Sequence, residues 1–206
     1  MTKQQVGITA FDSTQLLPGD ILLFHVGGFS IISAAIRWLT ESYWNHVGMY
    51  DSRYHGEGHV IEALMGRGVV KTPLEKYIKN KSLTVVAVRF KEEAFANQEE
   101  YNKGILIAAA RMEAKVGTKY DLGAIVGLWI KLVLAGTWKK GKQYVPVIGN
   151  PFQRRERVFC SELICESCWM ISSLYPMPFQ GTTKQKCDTT TPGDIAKAKT
   201  VRYMMG

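Results

Sequence analysis

The 206-residue chain contains no apolar run long enough to span a bilayer and no apolar core behind its first residues. Met1-Thr2-Lys3-Gln4-Gln5-Val6 opens a polar stretch without the hydrophobic region of a signal peptide. The chain therefore reads as cytoplasmic, or as delivered by another route such as a phage particle. Its longest apolar segment, Leu122 to Ala135, falls short of the roughly 20 residues a membrane helix needs and is interrupted by Lys131. Cysteine is scarce: four residues without scaffold spacing exclude a disulfide-stapled fold and suit a reducing compartment. Internal repeats, low-complexity tracts and interdomain linkers are absent. So is any motif for reading DNA or RNA, although Lys139-Lys140-Gly141-Lys142 and Arg154-Arg155-Glu156-Arg157 are basic. Nucleic acid is not an expected partner. A metal set is missing too. His55 and His59 flank Gly56-Glu57-Gly58, where glycines oppose a helix presenting both rings, and no cysteine pair lies nearby to complete a tetrahedron. Neither a metal nor another cofactor is expected.

What is present is an ordinary globular balance, with 46% hydrophobic and 21% charged residues. The length fits one domain, read as residues 16–206 behind a loose leader, 1–15. The net charge of +8 and a pI near 9.3 favour anionic surroundings, either membrane or cell-wall surface. Pro18-Gly19-Asp20 reads as a turn, followed by an apolar strand from Ile21 to Val26. Ser30 to Thr40 has helical spacing. Alternation around His46 sets His46, Gly48 and Tyr50 on one face of a strand, with Val47 and Met49 on the other. A second strand carries Val60, Glu62 and Leu64 on one face. Gly68 to Lys71 and Leu83 to Phe90 read as further strands, around a short helix begun by Thr72-Pro73-Leu74-Glu75. A long helix is expected from Gln98 to Val116, ended by Gly117. Another is expected from Cys160 to Ser172, with Leu163, Ile164, Cys168 and Ile171 inward.

Cys160 stands where an apolar entry, Val158-Phe159, runs into that last helix. A cysteine there faces the positive end of the helix dipole, which favours thiolate. Taken alone it reads equally as a small buried hydrophobe. His46, and Glu62 on a strand that can pair beside it, add a base and an orienting carboxylate, the remaining parts of a cysteine hydrolase. The order His, acid, Cys reverses that of papain, and such sites are defined by geometry rather than chain order.

Four segments occur together: Leu17-Pro18-Gly19-Asp20-Ile21-Leu22-Leu23-Phe24, His46-Val47-Gly48-Met49-Tyr50, Val60-Ile61-Glu62-Ala63 and Phe159-Cys160-Ser161-Glu162-Leu163-Ile164. In this order they resemble the YiiX-like, circularly permuted papain-fold hydrolases of the NlpC/P-sixty superfamily. The likeness runs from about Leu16 to Cys168, with a looser echo at Thr191-Pro192-Gly193-Asp194-Ile195. It implies an α+β fold, an antiparallel sheet packed against helices, with the nucleophile at a helix N-terminus. Cys160 becomes the nucleophile, His46 the base and Glu62 its orienting acid. Tyr120 resembles the family's tyrosine ahead of the nucleophile, an oxyanion donor, though a tyrosine packed on the sheet edge reads as well. The implied reaction is amide hydrolysis through a thioester, on a peptide or acyl-amide substrate such as a cell-wall peptide or a lipid-linked amide. Two other readings stand beside it: a lipid acyltransferase or phospholipase of the related permuted group, and a catalytically silent binding module. Leu122 to Ala135 fits either a buried helix or an apolar wall meeting lipid.

Overall fold

The computed structural model describes residues 11–26, 42–53, 58–123, 126–127, 156–174, 179 and 184–204. Ile21–Val26 (β1) lies in the middle of a six-stranded sheet because every residue but the last is buried, which only a strand covered on both faces tolerates. His46–Asp51 (β2) pairs with it on one side, Phe24 opposite His46, and Leu83–Phe90 (β5) pairs on the other. His59–Leu64 (β3) and Gly68–Pro73 (β4) continue outward from β2, and Val201–Met204 (β8) forms the far edge beside β5. All these pairings are antiparallel, in the order β4-β3-β2-β1-β5-β8.

Alternation along the strands sorts the side chains into two cores. Ile21, Leu23, Val47, Met49, Ile61 and Ala63 face the helices Gln98–Ala114 (α2) and Cys160–Ser167 (α3). Leu22, Phe24, Tyr50, Val60 and Val85 face the other way, onto Leu74 and Tyr77, the latter from the one-turn helix Glu75–Ile78 (α1). Phe11 and Leu16, from the stretch before the first turn, are buried in this second core. Residues 1–10 of the expected leader lie outside the described residues. The Leu17–Asp20 turn is anchored by Arg89, whose Nε and Nη2 donate to the two Asp20 oxygens, each at 2.7 Å.

The helices follow expectation with differences at their ends. α2 is capped by Asn97, which accepts from Glu100 N at 2.8 Å, and the chain leaves it through Gly117 at φ +89°. α1 starts later than the proline pattern implies, because β4 keeps pairing through Pro73, opposite His59. α3 is shorter than expected. It ends at Ser167, and Met170 takes φ 51°, while Arg111 of α2 donates to the carbonyls of Ser167 and Trp169 that the helix leaves open. Leu163, Ile164, Cys168 and Ile171 are nevertheless all buried. A two-residue parallel ribbon joins Lys119–Tyr120 (β6) to Arg157–Val158 (β7). The expected helix at Ser30 to Thr40 lies outside the described residues, as does most of Leu122 to Ala135. Among the described residues no helix is long and apolar enough to cross a membrane.

The cysteines depart from expectation. Cys165 of α3 is disulfide-bonded to Cys187, with Cα atoms 5.3 Å apart. Nothing in their spacing along the chain signals this pair. Folding brings the 3-10 turn Lys184–Thr189 against α3 and sets the two residues within bonding geometry. Cys160 and Cys168 are free and buried.

Candidate active site

Gly48 lies opposite Glu62 in the β2–β3 pairing, so His46, two residues before Gly48 on the same face, is diagonal to Glu62. A Cβ at position 48 would sit 2.5 Å from Val60 Cγ1 and 3.1 Å from Glu62 Cβ. Glycine therefore keeps open the path along which Glu62 reaches its diagonal neighbour. The contact is made, with His46 Nε2 2.6 Å from Glu62 Oε2. Entry into β2 is fixed by Asn45, whose side chain accepts from Val26 N at 2.9 Å and donates to Val26 O at 3.1 Å. Phe24 packs under the site, its ring centroid 5.3 Å from that of His46 and 4.6 Å from that of Tyr77.

Glu62 is fully buried, a costly place for a carboxylate unless every lone pair is used. Its second oxygen, Oε1, accepts from Thr72 Oγ1 at 2.5 Å and from the Tyr77 hydroxyl. Burial pushes the Glu62 pKa up, but His46, Thr72 and Tyr77 together hold it below the usual carboxyl value. Burial likewise disfavours imidazolium at His46. Hydrogen bonds and charge from Cys160 and Glu62 outweigh it and push the His46 pKa up to about 10. The ring thus lies between Cys160 and the Glu62 carboxylate. With Nε2 on Glu62, Nδ1 is the nitrogen left for Cys160.

Cys160 is the first residue of α3, the helix packed on β2 and β3. Its neighbours lock that start. Ser161 Oγ donates to Thr190 O at 2.7 Å, and the buried Glu162 carboxylate accepts from Phe159 N at 3.3 Å. Tyr120, opposite Val158 in the β6–β7 ribbon, is half-buried, and Asp121 N extends the pairing to Val158 O at 3.0 Å. Burial, then the charges of Cys160 and Asp121, push the Tyr120 pKa up, so its hydroxyl remains a donor.

Thus His46, Glu62 and Cys160 come together around one imidazole, and Tyr120 lies close enough to feel Cys160. His55 lies outside the described residues, and His59 is placed at the start of β3, opposite Asp51. Thr72 and Tyr77 escape the sequence reading. Thr72 does share the alternation of β4 that faces Glu62, with Val70 opposite Glu62 and Thr72 opposite Val60. Tyr77 carries no comparable signal.

Residues 15–126 match the permuted papain-like amidase enzymes of the YaeF/YiiX group, the C92 family, over more than half the chain. The chain belongs to that family. The matched segment contains His46, Glu62 and Tyr120 and stops short of Cys160. Among solved structures, the fold is similar to the metalloprotein YiiX from Escherichia coli O157:H7, with a TM-score of 0.56 and 18% identity over 92% of this chain and 96% of that one. A comparison with curated proteins returns no match. The site described above does not fit a metal. Both Glu62 oxygens are taken, and among the described residues no three His, Cys, Asp or Glu side chains form a metal-holding group.

Proposed function

We propose that this family member is a cysteine amidase or peptidase in which Cys160 is the nucleophile. The observation that carries the reading is the His46 ring, bound on Nε2 by a buried carboxylate at 2.6 Å and paired with Cys160 on its other side. An imidazolium held between carboxylate and thiolate is the resting form of such a pair. Cys160 Sγ attacks the amide carbonyl, and the tetrahedral oxyanion is bound by the Cys160 backbone N–H with the Tyr120 hydroxyl. His46 gives its Nδ1 proton to the departing amine, leaving a thioester. The now neutral His46 takes a proton from water, whose oxygen attacks the thioester and releases the acid and the Cys160 thiolate, restoring the resting pair. Glu62 stays ionised throughout and keeps the imidazole in the productive tautomer. The net charge of +8 suits a peptide amide carried on an anionic cell-wall or membrane surface.

Alkylation by iodoacetamide at mildly acidic pH, read by peptide mapping, tests the assignment without a known substrate. Cys160 should label first, Cys168 should resist because burial raises its pKa, and Cys165 and Cys187 are tied in their disulfide. Cys160→Ala and His46→Ala should each lower amide turnover by on the order of a thousandfold or more. Labelling of Cys168 ahead of Cys160, or full turnover in His46→Ala, rules the scheme out.

A further inference from the structure

We propose that Thr72 and Tyr77 are positioning residues for the reaction, holding Glu62 ionised and turned so that only Oε2 meets His46. This rests on the cysteine-hydrolase reading above and adds residues that touch neither substrate nor the reacting atoms. A carboxylate has two equivalent oxygens, and in an apolar site it tends to take up a proton rather than stay charged. Glu62 is fully buried in a layer with Phe24, Val60 and Leu22, yet the two oxygens are used differently. Oε1 receives two hydroxyls, Thr72 Oγ1 at 2.5 Å and Tyr77 OH, and Oε2 receives His46 Nε2 at 2.6 Å. Two neutral donors on one oxygen saturate its lone pairs and leave the other free to face the imidazole.

The clamp is assembled from separate elements. Thr72 comes from β4, one strand beyond Glu62, and Tyr77 from the single turn of α1, with its ring braced on Phe24 at 4.6 Å. The same Phe24 ring supports His46 at 5.3 Å, so one side chain sets the height of both ends of the relay. The groups facing Glu62 are His46 from β2, Thr72 from β4 and Tyr77 from α1. Arg67, in the turn between β3 and β4, acts on Tyr77, and Cys160 acts on the far side of His46. Burial and the Glu62 charge both raise the Tyr77 pKa, so the phenol keeps its proton and donates.

A purely structural pair of hydroxyls would alter melting temperature and leave the chemistry of Cys160 unchanged. A positioning role has a different signature. Removing one donor makes Glu62 easier to protonate, and a protonated Glu62 no longer stabilises the imidazolium that keeps Cys160 reactive. The acid limb of Cys160 reactivity should then move to higher pH.

The test is the second-order rate of Cys160 alkylation by iodoacetamide, followed from acid to neutral pH in the full chain. Wild type is compared with Tyr77→Phe, Thr72→Val, Thr72→Ser and His46→Ala, each checked for a cooperative melt. Tyr77→Phe and Thr72→Val should shift the acid limb upward by about one pH unit, a tenfold slower rate at fixed acidic pH. Thr72→Ser, which keeps the hydroxyl, should retain the wild-type limb. Limbs for Tyr77→Phe and Thr72→Val that superimpose on wild type in folded protein would overturn the proposal, as would Thr72→Ser behaving like Thr72→Val. If Tyr77→Phe does not fold, the Val and Ser variants at Thr72 decide. A wild-type profile in His46→Ala would instead remove the cysteine-hydrolase reading itself, a separate outcome.

Discussion

The two halves of the site are built in opposite ways. His46 and Glu62 sit on adjacent strands of one antiparallel pair, and their contact follows from register, a glycine at position 48 and two hydroxyls behind the carboxylate. Cys160 reaches the same place on a helix tied down by segments far along the chain. Ser161 is bonded to Thr190, Cys165 to Cys187, and Lys115 pairs with Glu166 at 3.2 Å. The His46–Glu62 half is therefore rigid by local pairing. The Cys160 half is rigid only when the rest of the molecule has assembled. Mutations should separate the two: changes near Glu62 should alter chemistry with little change in fold, and changes behind α3 should alter stability first.

The largest expected effect lies in the first half. Glu62→Gln keeps the shape but not the polarity, because Thr72 and Tyr77 both donate to one oxygen. The amide oxygen will be drawn to those hydroxyls, turning its NH2 toward His46 Nε2 and favouring the imidazole tautomer protonated on the Cys160 side. That tautomer cannot act as a base. The loss of kcat should be about a thousandfold or more. Near-normal kcat would show that the hydroxyls rotate to serve the amide and that the polarity of the clamp is not fixed.

Next in size is the tie behind α3. Reduction of the disulfide, or Cys187→Ala, should cost about 3 kcal/mol of stability and roughly 6–12 °C in Tm by calorimetry. Hydrogen exchange should accelerate in α3 before it does in β2 and β3. Equal exchange in both regions would erase the contrast between the halves.

The smallest effect is on the pH dependence of stability. The Glu62 pKa is lowered from 4.5 in the folded protein, so its contribution is present above pH 4.5 and is lost as pH falls through the depressed folded value. The His46 pKa is raised from 6.5 to about 10, so its contribution is complete below pH 6.5 and is lost as pH rises toward 10. Denaturant midpoints should therefore peak between pH 4.5 and 6.5. His46→Gln should flatten the alkaline decline between pH 6.5 and 10. An unchanged alkaline slope in that variant would mean that other groups set it.

Much of the first half is legible in the sequence, because β-strand alternation has a period of two and puts His46 and Glu62 on the faces where they are found. The diagonal register is less legible, since the connector between the strands permits several offsets. Cys160 is legible through its apolar entry and the helical pattern after it. The clamp is only half so: Thr72 lies on the right face of β4, but Tyr77 reaches the carboxylate from a turn of helix whose docking no local pattern encodes. The Cys165–Cys187 pair is hidden for the same reason, since it depends on where the 3-10 turn at Lys184–Thr189 comes to rest.

The order of the site residues along the chain has a consequence in time. A polypeptide is made from its N-terminus, and antiparallel neighbours joined by short connections can pair as soon as both have emerged. β1 to β5 precede α3, so His46, Glu62, Thr72 and Tyr77 can meet while the thiol has yet to be made. Cys187 and the edge strand β8 come later still. The nascent protein can thus hold a finished His46–Glu62 pair before its proposed nucleophile exists, so that Cys160 joins a partner already in place.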